Sequence, residues 1–266
     1  MLSLKKSNIL GFEQTFCTLE DATDLILGEG DSKEPRYFCI SNTYQIVLGV
    51  EDPDFAEVIN GAKNSIADSA VLGLCGKFLG DLKAPLTPFR GYDLLVSILA
   101  VSESRGVNVG FYGGTELGIQ KLVDKLKSDF PNLNAPYAYS PPFRKLSDDE
   151  LECVIEDINK AQVDVLLVGI GCPKQERFMF DVSSRLHGTL NGIHHGTAMV
   201  GIGAAFDFFT GDVEPSPSWV HKSGLEWLYR LISEPRRLFK RYALYNSKFV
   251  FYYSGQLLKR IFKLGR

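Results

Sequence analysis

Two spacings of apolar residues alternate along this chain. Short, predominantly apolar stretches, such as "VDVLLVGIG" (163–171) and "AMVGIGAAFDFFTG" (198–211), read as buried strands with their exit turns. Between them, apolar residues recur every three or four positions, which is the helical period. "YDLLVSILAVSESRG" (92–106) is such a helix, "VNVGFYGGTELGIQKLVDKLKSDFP" (107–131) reads as strand, glycine turn and helix, and "PKQERFMFDVSSRL" (173–186) as another helix. "SDDELECVIEDINKAQ" (147–162) opens with Ser147 and has Glu150 three residues on, a capping box. The stretch 37–50, "YFCISNTYQIVLGV", reads as strand-like, and 55–64 as helical. Strands alternating with helices, and apolar on both faces, predict an α/β fold: a Rossmann-like parallel sheet with helices on both faces. After Gly211 the pattern changes. A proline-bearing link, "DVEPSPSW", leads into a helical, aromatic and basic segment. The expected organisation is a core over 1–211 and a helical C-terminal appendage over 212–266.

Composition narrows the function classes. The 266 residues are 45% hydrophobic and 23% charged, with a net charge of -3 and a pI near 5.9. That balance is globular and supplies no general basic field for nucleic acid. The charge is uneven, however: from Arg230 to Arg266 Glu234 is the one acid among many cations, so the tail has an anionic partner to find. The five cysteines are scattered with no CxxC pair, which fits reduced thiols in the cytosol rather than disulfides or zinc. Cys172 reads as a small turn filler. No signal-peptide run and no apolar stretch of about 20 residues is present, so the expected location is cytoplasmic, peripheral at the inner face of the cell membrane.

Several stretches carry residue types that do chemistry. In "GFYGGTELG", Gly113 and Gly114 end a strand ahead of a helix, either as a plain tight turn or as a place where backbone and helix amides meet an anion such as a diphosphate. "VGIGCPKQE" repeats that architecture. Gly171 permits the exit, Pro173 suits the first helical position, and Lys174, Gln175 and Glu176 follow at a carboxyl sheet edge, either facing a ligand or as a solvated first helical turn. Asp68, in "IADSAV", is either a general base for a sugar hydroxyl or a helix cap. Asn42, in "ISNTYQ", either orients a substrate or makes a turn. His194 and His195 are adjacent, so on a strand they face opposite ways and make a poor metal pair. The tail's mixture of cations with aromatic rings fits an amphipathic helix on anionic lipid, cations reaching a diphosphate, or packing against the core.

Taken in order, "FYGG", "VDVLLVGIGCPKQE", "FDFFTG" and "GLEWLYRLISEPRRLFKRY" resemble the WecG/TagA/CpsF family of bacterial glycosyltransferases, from about residue 37 to 242. The resemblance implies an inverting transfer from a UDP-sugar to a polyprenyl-diphosphate-linked sugar in exopolysaccharide, capsule or teichoic acid synthesis. It implies no metal and no cofactor beyond the UDP-sugar substrate. By motif, Asp68 falls on the family's base, Asn42 on its strand-end asparagine, Gln175 on the sugar-contacting glutamine and Asp207 on the nucleotide-pocket aspartate. Arg230, Arg237 and Lys240 fall on basic positions of the appendage, which in the family closes over the site and touches the membrane. Gly113, Gly114, Gly171 and Lys174 join the nucleotide side. The chain departs from the pattern in places: "ADS" replaces "PDG", Ile40 replaces a threonine, "GAAFD" replaces "GGSFD", and Arg90 is the candidate for a shifted arginine. The expected partners are thus the UDP-sugar, the lipid-linked acceptor and an anionic membrane surface, with no nucleic acid; a homo-oligomer stays open. Two other readings remain. A nucleotide-sugar epimerase or dehydrogenase would want GxGxxG and a Tyr-x-x-x-Lys pair, which are not in place. A non-catalytic subunit scaffolding polysaccharide assembly is kept alive by Ser69 and Ile40.

Overall fold

A computed structural model describes residues 4–28, 36–82, 89–190, 193–217, 220, 226–233 and 235–264. From the N-terminus these form β1 (Lys5–Ile9), β2 (Phe12–Phe16), α1 (Leu19–Leu27), β3 (Arg36–Ser41), α2 (Thr43–Glu51), α3 (Pro53–Asn60), β4 (Asn64–Ala67) and α4 (Ala70–Phe78). There follow α5 (Gly91–Arg105), β5 (Val109–Gly113), α6 (Glu116–Asp129), β6 (Tyr137–Tyr139), α7 (Asp148–Lys160), β7 (Val165–Gly169) and α8 (Lys174–Val182). Last come β8 (His187–Leu190), β9 (Ile193–Gly196), β10 (Ala198–Gly201), α9 (Ala205–Thr210), α10 (Glu226–Ser233) and α11 (Pro235–Leu264).

Local chemistry sets these boundaries. Leu10 and Gly11 both have positive φ, 55° and 97°, the backbone that turns β1 tightly into antiparallel β2. Side chains cap several of the helices: Asn42 accepts from the Gln45 amide, Asp52 from Asp54 and Phe55, Ser69 from Leu72, and Thr115 from Gly118. The capping box of Ser147 and Glu150 is formed in both directions. The strand-like reading of 37–50 is corrected from Thr43 onward. There Asn42 satisfies a first-turn amide and the β-branched Ile46 and Val47 are buried on a helix instead. "FDFF" likewise lies in helix α9, and Pro173 stands one residue before the helix it was expected to open.

The chain divides into two compact units. One comprises Leu19–Cys39 and Gly91–Glu214. Its strands run in the order β3-β10-β7-β5-β6, every neighbour parallel. Leu166, Leu167 and Val168 are fully buried in the middle of it. Helices cover both faces. A Cβ on Gly201, which pairs with Val168, would meet Gln175 and Met179 of α8; a Cβ on Gly169, the next position along and so on the opposite face, would meet Phe206 of α9. The α/β expectation of a parallel sheet between helices therefore holds. β8 and β9 form a separate antiparallel hairpin.

The other unit comprises Met1–Thr18, Ile40–Arg90 and Pro215–Arg266. The C-terminal helices thus group with the N-terminal hairpin, a different division from 1–211 and 212–266. Polar ties explain it. The Thr43 hydroxyl donates to Asn246 (3.2 Å), Lys248 and Tyr252 both reach Glu51, Tyr253 donates to the Cys75 carbonyl (2.7 Å), and Arg260 pairs with Asp81. The Arg241 guanidinium lies over the Tyr44 ring at 5.2 Å. Leu238, Phe249 and Tyr253 are buried, whereas Phe239, Val250, Phe251 and Phe262 are exposed. α11 therefore both packs inward and presents an apolar outer face. Burial pushes the Cys75 thiol up to about 11, a setting in which it stays protonated and unreactive.

Candidate functional site

In the unit that holds Pro215–Arg266, two strands end beside each other. The Asp68 amide donates to the Ser41 carbonyl at 3.1 Å, which brings the residue after β4 next to the end of β3, where Asn42 follows. Both Asn42 and Asp68 are half-buried. The cap of α4 is Ser69, whose hydroxyl accepts from Leu72 at 3.3 Å, so the serine that departs from the family motif has a structural job. Asn42 turns out to be the N-cap of α2, with Oδ1 accepting from Gln45 at 3.2 Å. Arg90 donates to the carbonyl of buried Ser216 at 3.0 Å and so fastens the proline-bearing link. Arg230, on α10, is half-buried and Lys240, on α11, is exposed. Arg237 belongs to α11, but its side chain lies outside the described residues, as do those of His194 and His195 and all of Glu234.

In the other unit, three glycine turns leave the carboxyl ends of parallel strands: Gly113–Gly114 after β5, Gly171 after β7 and Gly203 after β10. All four glycines have positive φ. The Gly113 requirement is one of space as well as backbone, because a Cβ there would stand 2.5 Å from the Gly169 carbonyl oxygen. Gly114 lines a small pocket with Gly118, Ile119, Phe206, Asp207 and Thr210. The structure thus brings Gly114 together with the exposed carboxylate of Asp207. Lys174 is exposed at the start of α8, a helix whose first turn has no side-chain cap.

Gln175 is 3% exposed and faces inward. Its Oε1 accepts from the Gly171 amide at 3.2 Å and the Gly203 amide at 3.1 Å, and its Nε2 donates to Glu176 at 2.9 Å. Its observed work is to tie two turns together. Glu176 is fully buried, and burial raises its carboxyl above the ordinary range; hydrogen bonds from Gln175, its own amide and Cys172 oppose that. Neither Gly203 nor the inward role of the glutamine was expected. A repeated "VGIG", at 168–171 and again at 200–203, was the available signal. Among the described residues no group of three His, Cys, Asp or Glu is placed to hold a metal ion, and no helix is long and apolar enough to cross a membrane.

Comparison with known proteins agrees with the motif order. The family described as "Glycosyl transferase WecG/TagA/CpsF family" matches residues 7–263. An N-acetylglucosaminyldiphosphoundecaprenol N-acetyl-beta-D-mannosaminyltransferase of Bacillus spizizenii is 30% identical over 188 residues, covering 71% of this chain and 67% of its own.

Proposed function

The chain belongs to the WecG/TagA/CpsF family of glycosyl transferases, and we propose that it transfers N-acetylmannosamine, with inversion, from its UDP derivative to a polyprenyl-diphosphate-linked N-acetylglucosamine in the synthesis of a cell-surface polysaccharide. The similarity to the Bacillus enzyme, whose name states that sugar and that class of acceptor, supports the choice. The observation that carries the reading is the placement of Asp68. It follows a strand, sits beside Asn42 through the Ser41 hydrogen bond, and is relieved of capping α4 by Ser69.

In this reaction the Asp68 carboxylate takes the proton of the acceptor hydroxyl. That oxygen bonds to the anomeric carbon as the bond to UDP breaks, and UDP leaves with the electron pair. Asn42 orients the acceptor. The developing negative charge on UDP is met by backbone amides at the glycine turns, without a metal ion. Asp207 and the pocket around Gly114 serve the nucleoside. Gln175 acts through the turns it ties. The test is UDP release by the purified chain from a panel of UDP-sugars with a detergent-solubilised acceptor. Acceptor-dependent release from UDP-N-acetylmannosamine, unchanged by chelator, is expected; release that needs no acceptor, or that stops with chelator, contradicts the reading.

We further place the enzyme at the cytoplasmic membrane face, where its acceptor resides. The exposed Phe239, Val250, Phe251, Leu258, Ile261 and Phe262 alternate on α11 with the exposed cations Arg236, Lys240 and Lys259, an arrangement suited to anionic lipid. Replacing Phe251 and Phe262 together by Glu is expected to weaken binding to phosphatidylglycerol vesicles by about tenfold or more, from lost apolar burial. Undiminished binding in cosedimentation refutes the lipid contact.

A further inference from the structure

An amide side chain presents its oxygen and its nitrogen almost interchangeably to its surroundings. Turned over by half a rotation, Gln175 would point Nε2 at two N–H donors and lose both bonds to the glycine turns. What fixes its orientation is an acceptor on the nitrogen side, and Glu176 Oε1 at 2.9 Å is that acceptor. Gly171 and Gly203 depend on the result, since both adopt left-handed backbone (φ 82° and 58°) at the exits of β7 and β10. Gly201 leaves the glutamine its room: a Cβ there would lie 2.8 Å from Nε2.

We propose that Glu176 is a positioning residue of the transferase: it locks the Gln175 amide in the one orientation that holds the Gly171 and Gly203 turns together at the sheet edge. The inference rests on the reading of that edge as part of the donor site only for its effect on turnover.

The surroundings of Glu176 suit a neutral acid better than a carboxylate. It is fully buried, and Oε2 has no hydrogen-bond partner. β7 and β10, which pack against α8, carry no titratable side chain. The turn Ser183–Arg185 carries Arg185, which is paired with Glu152. β3 and β5 present the rings of Tyr37 and Tyr112 to Phe180 and Phe178. On and just before α8 itself, the titratable groups are the Cys172 thiol, Lys174, Arg177 and Asp181. A proton on Oε2 leaves Oε1 as the acceptor that Gln175 needs. Because the folded state then holds this proton more tightly than the unfolded chain, stability falls as pH rises above the unfolded carboxyl range, about 4.3, and through the raised value.

The experiment uses the full chain with Glu176→Gln and Glu176→Ala, and reads amide hydrogen exchange at Gly171 and Gly203 together with thermal stability between pH 5 and pH 9. Glutamine keeps an acceptor oxygen and cannot ionise. It should preserve protection at both glycines and abolish the Glu176 part of the stability decline with pH. Alanine should lower protection at both glycines by about tenfold, with the amides of β5 unaffected. Unchanged protection in the alanine variant overturns the proposal, as does equal loss of protection in the glutamine variant. If the alanine variant does not fold, the glutamine variant decides: a pH profile identical to wild type overturns the neutral acid. Exchange and stability read the protein alone, so they stand apart from any failure of the donor assignment. With UDP-N-acetylmannosamine as donor, kcat/KM should fall in the alanine variant and recover in the glutamine one; parallel loss in both counts against the positioning role.

Discussion

Asp68→Asn is expected to slow sugar transfer by about 10²–10⁴-fold, the usual contribution of a general base, while UDP binds as before. The two side chains have nearly the same shape. The backbone bond from residue 68 to Ser41 does not involve the side chain, and Ser69 remains to cap α4. The variant should therefore keep that backbone bond and the α4 cap while losing the ability to accept a proton. Full turnover by purified Asp68→Asn removes Asp68 from the base role. An inactive wild-type chain that still binds UDP moves the weight to the scaffolding reading.

The second large effect concerns the fold beneath the donor side. Gly113→Ala places a Cβ 2.5 Å from the Gly169 oxygen and 2.6 Å from its carbon, both backbone atoms of the adjacent strand, and does so at φ 139°. Neither strand can move without disturbing β5 and β7 where they are fully buried. Overpacking and backbone strain together should cost about 3 kcal/mol or more and lower Tm by roughly 5–10 °C for a domain of this size. Gly114→Ala is the control. Its nearest neighbour would be Ile119 at 3.9 Å, so only the conformational cost of φ 74°, about 1–2 kcal/mol, applies. A Gly113→Ala variant that melts like wild type but loses UDP affinity would show that this glycine serves the ligand instead of strand packing.

These cases mark how far the sequence could be read. The strand–turn–helix units at 107–131 and 163–186 were legible because apolar runs, glycines and helical spacing all agreed there. Asn42 and Asp68 were found by motif, and the structure seats them together; which of Asp68 and Ser69 caps α4 needed coordinates. The N-terminal hairpin went unread because β1 alternates with polar residues and its turn signal is a single Leu-Gly. α1 likewise offered only a short, acidic stretch. The grouping of the C-terminal helices with residues 1–18 and 40–90 rests on bonds such as Lys248 to Glu51, 197 residues apart in the chain, and no local pattern encodes them. Gln175 was singled out by motif, but a polar residue at a helix start normally faces water. Its burial follows from Gly201 and the second "VGIG", a relation between distant segments.

The measurement that bears most directly on the account is the structure of the product. Purified protein would be given UDP-N-acetylmannosamine and a short-chain polyprenyl-diphosphoryl N-acetylglucosamine, and the lipid product examined by mass spectrometry and proton NMR. A single added N-acetylmannosamine in β-linkage, with UDP as the co-product, is the predicted result. An α-linked sugar contradicts the inverting mechanism with Asp68 as base, and no addition to the lipid under conditions where the nucleotide binds contradicts the proposed transfer.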